Sequence, residues 1–222
     1  MFVSMWMTRE LITISSSMRL SGIAQLMGEK RIRRVPVTVA KDGTQLLGIV
    51  SHSDVLHAFP ARLNPFSASA AEELAQIENS SPKPVTAADL MQRDPHTTAP
   101  DAPLESAARL MRQHKIGALP VVKGKALVGM ITESDIFRAM VELFEARERA
   151  VRITFALNAD EDVLPLVAEI ARRRTLRVTS FLALPRHDPP VCVAQLAGEH
   201  IDAALEDIWN SKHRVMNVMH LP

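Results

Sequence analysis

Residues 7–37, MTRELITISSSMRLSGIAQLMGEKRIRRVPV, align without a gap on residues 91–121, MQRDPHTTAPDAPLESAARLMRQHKIGALPV. After a turn that is three residues longer in the first copy, GIVSHSDVL at 48–56 lies over GMITESDIF at 129–137. An internal repeat fixes the architecture of a chain, because each copy is one structural unit that packs on the other. The sequence therefore predicts two copies of the same unit.

Each copy carries the same pattern of local structure. An extended segment ends at Thr13 or Thr97, and the helix that follows has its apolar residues at the spacing of one helix face. Two strands come next, joined in the first copy by the glycine-containing turn Lys41-Asp42-Gly43. A second helix begins at a Ser or Thr and has an Asp in its first turn. The predicted unit is β-α-β-β-α.

The chain outside the repeats has a different character. Residues 61–84 are small, polar and rich in proline, which predicts a linker with a short helix at 70–77. The last helix of the second copy is expected to continue to residue 150. Residues 151–222 alternate apolar strands with helical segments at 161–173 and 200–212. Their predicted order is β-α-β-β-α-β, the split arrangement of a ferredoxin-like domain.

Composition excludes several classes of function. The chain has 222 residues, 47% of them hydrophobic, and a net charge of +1, so it is globular and has no overall field for nucleic acid. A single cysteine, Cys192, cannot close an internal disulfide, and no long apolar run or leader is visible. Phosphate-loop, nucleophile-elbow, dinucleotide and zinc-protease motifs are absent. We expect a cytoplasmic, non-enzymatic protein without nucleic-acid or membrane partners and without a metal site.

The two copies resemble paired CBS domains, the Bateman module. Each has an h-x-x-x-P-V strand and a G-h-h-[ST]-x-[ST]-D-h turn, where h is an apolar residue. The C-terminal third is similar to an ACT domain, and the order CBS–CBS–ACT resembles the acetoin-utilisation B-type regulatory proteins. The resemblance implies an α/β (α+β) fold, with CBS repeats at 1–61 and 85–146, a linker at 62–84 and an ACT-like ferredoxin-fold domain at 151–222.

The resemblance also implies a nucleotide site. In CBS domains the Ser/Thr and Asp of the turn hold ribose, and the first-strand Thr and the residues before the Pro line the adenine slot. Carried over, the first-repeat residues are Thr13, Ile32, Pro36, Ser51, Ser53 and Asp54, and those of the second are Thr97, Ile116, Gly117, Ala118, Pro120, Thr132, Ser134 and Asp135. From the residues alone, a carboxylate at a helix start suits the ribose hydroxyls. The alternative interpretation is that the Ser/Thr and Asp residues only cap helices.

The repeats differ where a phosphate would bind. Arg33 and Arg34 precede the proline of the first repeat, at positions where the second has Gly117 and Ala118. Guanidinium groups bind phosphate with two hydrogen bonds and stay charged. This repeat is similar to the nucleotide-binding repeats of the AMP-activated kinase regulatory subunit. This resemblance implies AMP, ADP or ATP as the ligand rather than S-adenosylmethionine. The alternative is that Arg33 and Arg34 form a solvated basic surface and bind no phosphate.

The ACT-like segment departs from the amino-acid-binding pattern. The turn at 158–162 contains no glycine and carries acidic residues that would repel a carboxylate. We therefore expect it to mediate dimerisation or to transmit a signal; a divalent ion at Asp160, Glu161 and Asp162 is an alternative that rests on clustering alone. The leading hypothesis is a homodimeric nucleotide sensor that acts on an unidentified protein. The alternatives are a dimerisation scaffold with empty clefts and an accessory subunit that binds an amino acid through the ACT-like domain.

Overall fold

The computed structural model describes residues 1–39, 43–60, 69–145, 148–158 and 161–221. Within it the chain divides into two compact units, Met1–Ala139 and Met140–Pro222. Three sequence predictions fall partly outside the described residues: the turn at Lys41-Asp42, the first part of the linker, and an ion site that includes Asp160. No helix in the described part of the chain is long and apolar enough to cross a membrane.

Both repeats lie in the first unit. Its elements, in chain order, are a 3-10 helix (Val3–Met5), β1 (Ile14–Ser15), α1 (Leu20–Lys30), β2 (Arg34–Thr38), β3 (Leu46–Ser51), α2 (His52–Ala58), α3 (Ala70–Asn79), α4 (Ala87–Leu90), β4 (Gln92–Arg93), α5 (Leu104–His114), β5 (Ala118–Lys123), β6 (Ala126–Thr132) and α6 (Glu133–Phe144), whose last residues belong to the second unit.

The sheets of the two repeats have equivalent registers. In the first repeat, β1 is parallel to β2, with Ile14 opposite Val37, and β2 is antiparallel to β3. In the second, β5 and β6 are antiparallel, and an isolated parallel bridge joins Thr98 to Val121. The pairs Ile14–Val37 and Thr98–Val121 are the same positions of the repeat. The strand residues therefore come just after Thr13 and Thr97, and the prediction that the strands end at these threonines is wrong by one or two residues.

The two repeats exchange their leading segments, which we define as residues 1–8 and 85–93. Leu20 N donates to Val85 O, whereas Leu104 N donates to Met1 O at the equivalent place. The leading segment of the second repeat ends in β4, which pairs with β3 of the first repeat. Thr8 in turn bridges to Met130 of β6. Each repeat thus completes the sheet of the other, so neither is an independent layer.

Glycine at the exchange points allows this close approach. An added Cβ at Gly48 in β3 would lie 2.6 Å from the carbonyl oxygen of Gln92 and 2.9 Å from the Sδ atom of Met91. At the equivalent Gly129 in β6, an added Cβ would lie 2.7 Å from the Sδ atom of Met7. The methionine that leads one repeat therefore packs directly on a glycine of the other.

Beyond the end of α6, the described part of the second unit contains six elements. They are β7 (Ala150–Ala156), α7 (Leu164–Arg173), β8 (Arg177–Leu184), β9 (Val191–Ala197), α8 (Ile201–Trp209) and β10 (Val215–Leu221). They form a β-α-β-β-α-β unit whose antiparallel sheet has the strand order β10-β7-β9-β8. The predicted element order of this part of the chain matches the structure.

Both helices of the second unit pack on one face of its sheet. Alternate residues of a strand point to opposite faces. Ile153 and Phe155 of β7 and Ala194 of β9 are fully buried in one cluster with Val167 of α7 and Ile208 of α8. The intervening strand residues, which include Arg152 and Thr154, face the other side of the sheet, and no helix of the core cluster covers them.

Four predicted helices have different bounds in the structure. The helix predicted at 200–212 runs only over α8 (Ile201–Trp209). The helix at 70–77 is present and runs two residues further, as α3 (Ala70–Asn79). The helix predicted to reach residue 150 ends at Phe144, because residue 150 already begins β7. The helix predicted at 161–173 begins only at Leu164, since Glu161 accepts a hydrogen bond from Asn158 N and Asp162 accepts one from Leu164 N.

Cys192 is a core residue of the second unit. It is 1% exposed in the cluster beneath the helices. Burial raises the pKa of its thiol to about 11, because the thiolate would lose its hydration. A thiol in this state is unreactive at neutral pH.

At low pH the second unit is expected to lose stability because of Glu161. Asn158 N donates to Glu161 Oε2 at 2.8 Å, and His213 Nδ1 lies 2.6 Å from Oε1. These hydrogen bonds, first that from the Asn158 backbone, hold the pKa of Glu161 below its ordinary value of 4.5. A carboxyl group with a lowered folded-state pKa stabilises the fold above its unfolded pKa. That contribution is lost as the pH falls through the folded pKa.

Urea unfolding of a Trp6→Phe chain, followed by the fluorescence of Trp209, reports on the second unit. In this background we expect Glu161→Gln to lower the free energy of unfolding at neutral pH and to flatten its decline in acid. Glu199→Gln changes an exposed carboxyl group of the same unit and is the control. Equal pH slopes for Glu161→Gln and Glu199→Gln would contradict the assignment to Glu161.

Candidate functional site

A large cleft in the first unit has a volume of about 670 Å³. It joins the leading segment and the pre-proline strand of the first repeat to the turn that begins α6 in the second. Its lining residues are Thr8, Glu10, Leu11, Ile12, Arg31, Ile32, Arg33, Arg34, Pro36, Ser51, His52, Ser53, Gly117, Met130, Thr132, Glu133 and Ser134.

In a small cleft of about 190 Å³, the two repeats exchange the parts that they contribute. It joins the turn that begins α2 in the first repeat to the leading segment and pre-proline strand of the second. Its lining residues are Arg34, Ile49, Ser51, Ser53, Asp54, Gln92, Pro95, His96, Lys115, Ile116, Ala118 and Pro120. Each cleft is therefore built by both repeats, and Arg34 lines both clefts.

The turns that begin α2 and α6 have nearly identical hydrogen bonds. Ser51 N and Oγ donate to Asp54 Oδ2 at 2.7 and 2.6 Å, and Asp54 N donates back to Ser51 Oγ at 3.3 Å. Thr132 and Asp135 repeat this arrangement at 2.9, 2.7 and 3.3 Å. Both turns are thus helix caps. Capping uses only one oxygen of each carboxylate.

The second carboxylate oxygen distinguishes the two turns. Asp135 is 8% exposed, and its Oδ1 is 3.0 Å from Nη2 of Arg138. The same Nη2 donates to the carbonyl oxygen of Trp6, over whose ring the guanidinium lies. In the described part of the chain, Oδ1 of Asp54 has no hydrogen-bond partner. Asp54 therefore presents a carboxylate oxygen to the small cleft, whereas both carboxylate oxygens of Asp135 have partners.

Arg34 reaches across the interface between the repeats. It lies in β2, and an added Cβ at Gly117 of the second repeat would be 2.7 Å from its Nη2 atom. The same Cβ would be 2.8 Å from Oε2 of Glu133. Only a residue without a side chain leaves room at position 117 for the guanidinium and the carboxylate together.

The large cleft carries an excess of basic groups. Arg31, Arg33 and Arg34 line it, against the carboxylates of Glu10 and Glu133. Arg33 is exposed and Arg34 is half-buried. Fixed guanidinium groups at the mouth of a cleft favour an anionic ligand, and above all a phosphate.

Most of the sequence-predicted residues line these clefts. The large cleft includes Ile32, Arg33, Arg34, Pro36, Ser51, Ser53, Gly117, Thr132 and Ser134, and the small cleft adds Asp54, Ile116, Ala118 and Pro120. Thr13, Thr97 and Asp135 line neither of them. Thr13 is buried beside β1, and Asp135 is tied to Arg138.

Sequence reasoning missed the cleft residues contributed by the leading segments. Thr8 lines the large cleft beside Met130, and Gln92 lines the small cleft beside Ile49. Both belong to segments that pair with the other repeat. The only signal in the sequence is that residues 1–8 and 85–93 occupy equivalent places ahead of each repeat.

The acidic turn of the second unit does not form a metal site in the described structure. Glu161 accepts hydrogen bonds from Asn158 and contacts His213, whereas Asp162 caps α7. No group of three or more candidate ligands occurs among the described residues.

A family model for the CBS domain matches residues 3–61 and 87–142. These two stretches make up more than half of the chain, which therefore belongs to the CBS domain family. The prediction of tandem CBS domains is confirmed. The match ends within α6, so the second unit lies outside it from residue 143 onward.

Three relatives indicate where in this family the chain falls. It is similar to an acetoin utilization protein from Vibrio cholerae, with 34% identity and a TM-score of 0.50 over 65% of this chain and 93% of that one. CBSX2 from Arabidopsis thaliana is known in complex with AMP, with 26% identity and a TM-score of 0.51 over 65% and 98% of the two chains. Inosine-5′-monophosphate dehydrogenase of Korarchaeum cryptofilum is 30% identical over 146 residues.

The dehydrogenase shares only part of its length with this chain. The match covers 65% of this chain and 25% of the enzyme. The chain likewise spans about a quarter of the length of the homoserine O-acetyltransferases that it matches. The two structural relatives, by contrast, are covered almost completely, and neither is named as an enzyme.

Proposed function

We propose that this chain is a non-enzymatic regulatory protein whose CBS pair binds an adenosine nucleotide of the AMP, ADP or ATP class. The observation that carries the proposal is the large cleft, whose volume of about 670 Å³ suits a small-molecule ligand. Its arginine side chains come from the first repeat, and both repeats contribute hydroxyl groups to it. The complex of CBSX2 with AMP, at 26% identity, supports the class of ligand.

The phosphate is assigned to Arg33 and Arg34. These guanidinium groups lie on the strand that leads to Pro36, and both line the large cleft. S-adenosylmethionine has no phosphate to engage them, so it is the weaker candidate. The small cleft, at about 190 Å³, is below the usual size of a ligand site, and the nucleotide is therefore assigned to the large cleft.

The ribose is assigned to the turn at the start of α6. Thr132 and Ser134 line the large cleft, and Asp135 follows them with its Oδ1 atom bonded to Arg138. Ribose hydroxyls would replace Arg138 at this oxygen. The Arg138 side chain is 61% exposed and can turn to solvent, but that of Asp135 is only 11% exposed. The ribose hydroxyls must therefore supply the hydrogen bond that this buried carboxylate loses.

This replacement would couple binding to conformation. Arg138 also donates to the carbonyl oxygen of Trp6, within the leading segment that docks on the second repeat. A ligand shifts an equilibrium only by its preference for one state, and competition for Asp135 supplies such a preference. By reciprocity, a protein that binds the released state would raise the nucleotide affinity.

The rest of the proposal concerns the second unit and the assembly. We assign the second unit to the ferredoxin-like, ACT-like class, which its element order and strand order support. The working form is a homodimer in the cytoplasm that acts on another protein. An exposed apolar stripe on α6, formed by Phe137, Met140 and Val141, supports association.

The test is the thermal stability of the full chain with AMP, ADP, ATP, cyclic di-AMP or S-adenosylmethionine, with the mass measured by light scattering. A ligand at about 100 times its Kd adds about 2.7 kcal/mol to the free energy of unfolding. Asp135→Asn is expected to lose most of the response, whereas Asp54→Asn, which faces the small cleft, retains it. The two variants are matched because each Asp caps its helix in the same way.

Two results would count against the proposal. If no nucleotide stabilises the chain, the CBS pair is a dimerisation scaffold with empty clefts. If Asp54→Asn, and not Asp135→Asn, loses the response, the nucleotide occupies the small cleft and the assignment of the ribose is wrong.

A further inference from the structure

The face of the second unit's sheet opposite α7 and α8 carries a cavity of about 390 Å³. Strand residues that point away from the helices form most of its wall, and Phe144 closes one side. The lining residues are Phe144, Arg152, Thr154, Leu182, Val193, Asn217 and Met219. The cavity lies within the second unit and shares no residue with the two clefts of the CBS pair.

Arg152 is the only charged residue that lines this cavity in the described part of the chain. Its Nη2 atom donates to the carbonyl oxygen of Phe144 and to Oε1 of Gln195, and its Cζ atom is 5.7 Å from the centre of the Phe144 ring. Gln195 is 1% exposed. These contacts hold one edge of the guanidinium in a fixed orientation.

The other side of the guanidinium is unsatisfied. Nε is buried without a hydrogen-bond partner, and among the described residues Nη1 makes no hydrogen bond and no carboxylate lies within ion-pair distance of Arg152. Glu145 and Glu148 line a separate cavity, in which Glu148 pairs with Arg177. Partly buried charges are normally paired, because desolvation without a partner is costly. Arg152 therefore lacks an anion.

We infer that this cavity binds a small monocarboxylate with an apolar body. The carboxylate pairs with Arg152, within reach of the hydroxyl of Thr154 and the amide of Asn217. The apolar body lies against Leu182, Val193 and Met219. Because no acidic side chain lines the cavity among the described residues, an α-ammonium group would have no partner. The site therefore selects simple organic acids over amino acids.

The experiment is calorimetric titration of the full chain with 3-methylbutanoate and phenylacetate. The neutral amide 3-methylbutanamide and the amino acid leucine have similar apolar bodies and are the comparison ligands. We expect both carboxylates to bind, and the amide and leucine to bind at least about tenfold more weakly, since a hydrogen bond to a charged group contributes about 1.5–3 kcal/mol.

Variants locate the site. Arg152→Met is expected to weaken carboxylate binding about 10- to 100-fold, whereas Arg186→Met, on an exposed turn of the same unit, leaves it unchanged. Leu182→Trp fills the cavity from its rim and should also abolish binding while keeping Arg152. Leu182 is 38% exposed, so a larger side chain is tolerated there. If Arg152→Met fails to fold, Leu182→Trp and the comparison of acid with amide still test whether the cavity binds a carboxylate.

Three outcomes would overturn the inference. The first is that none of the probes binds the full chain. The second is that the amide binds as tightly as the acid, or that Arg152→Met binds the acid as the parent chain does. The third is that Arg152→Met halves the mass measured by light scattering without affecting any probe, which would assign this face to a second copy of the chain.

Discussion

Replacing Gly48 with alanine is expected to lower the free energy of unfolding of the first unit by about 1–3 kcal/mol. The new Cβ would lie 2.6 Å from the carbonyl oxygen of Gln92, which is backbone of β4 and cannot turn aside as a side chain can. Gly48 is paired directly with Arg93 of β4. Relief of the contact therefore requires that β4 separate from β3, which breaks the exchange between the repeats.

Gly28→Ala is the matched control for this experiment. Gly28 lies in α1, and an added Cβ meets nothing within 4 Å. Alanine in a helix is about 0.5–1 kcal/mol more favourable than glycine, so this variant should be more stable. Urea denaturation followed by circular dichroism measures both changes. A Gly48→Ala chain as stable as the parent would show that the leading segment of the second repeat is not held at this contact.

Replacing Arg34 with methionine is expected to weaken AMP binding about 10- to 100-fold, because a charge-assisted hydrogen bond contributes about 1.5–3 kcal/mol. Arg34 lines both clefts, and its guanidinium passes Gly117 to reach the face of the second repeat. Methionine keeps most of the length and apolar contact of the side chain and removes the charge. This loss should appear whichever cleft holds the nucleotide.

Adenosine provides the internal control, because it has the base and ribose but no phosphate. Its affinity should be nearly the same for Arg34→Met and for the parent chain. Arg112→Met, on the exposed side of α5 and outside both clefts, should leave the affinity for AMP unchanged. If Arg34→Met weakens adenosine and AMP equally, Arg34 supports the shape of the cleft and does not hold the phosphate.

The architecture of the chain was largely predictable from its sequence. The gapless repeat indicated two β-α-β-β-α units, because the same apolar spacing recurs in α1 and α5. The strand at Val215–Leu221 has the predicted bounds. The start of α7 was not predictable, because Glu161 is used by Asn158 and His213, and His213 is distant in sequence.

The candidate site was predictable in its residue types but not in its grouping. The Ser/Thr-x-Ser-Asp turns and the paired arginines carry their own signal in the sequence. Their partners across each cleft come from the other repeat, and pairing between strands distant in sequence leaves no local pattern. The pair of Asp135 with Arg138 follows helical spacing and was open to prediction, whereas the bond from Arg138 to Trp6 depends on the exchange and was not.

The exchanged leading segments determine the order in which the module can be completed during synthesis. Residues 85–93, which finish the sheet of the first repeat, leave the ribosome after the rest of that repeat. Residues 1–8 are made before β6, the strand that they pair with. A nascent first repeat therefore has an open sheet edge, and removal of residues 1–8 damages the second repeat rather than the first. The two repeats therefore fold as one unit, and a single repeat lacks the segment that completes its sheet.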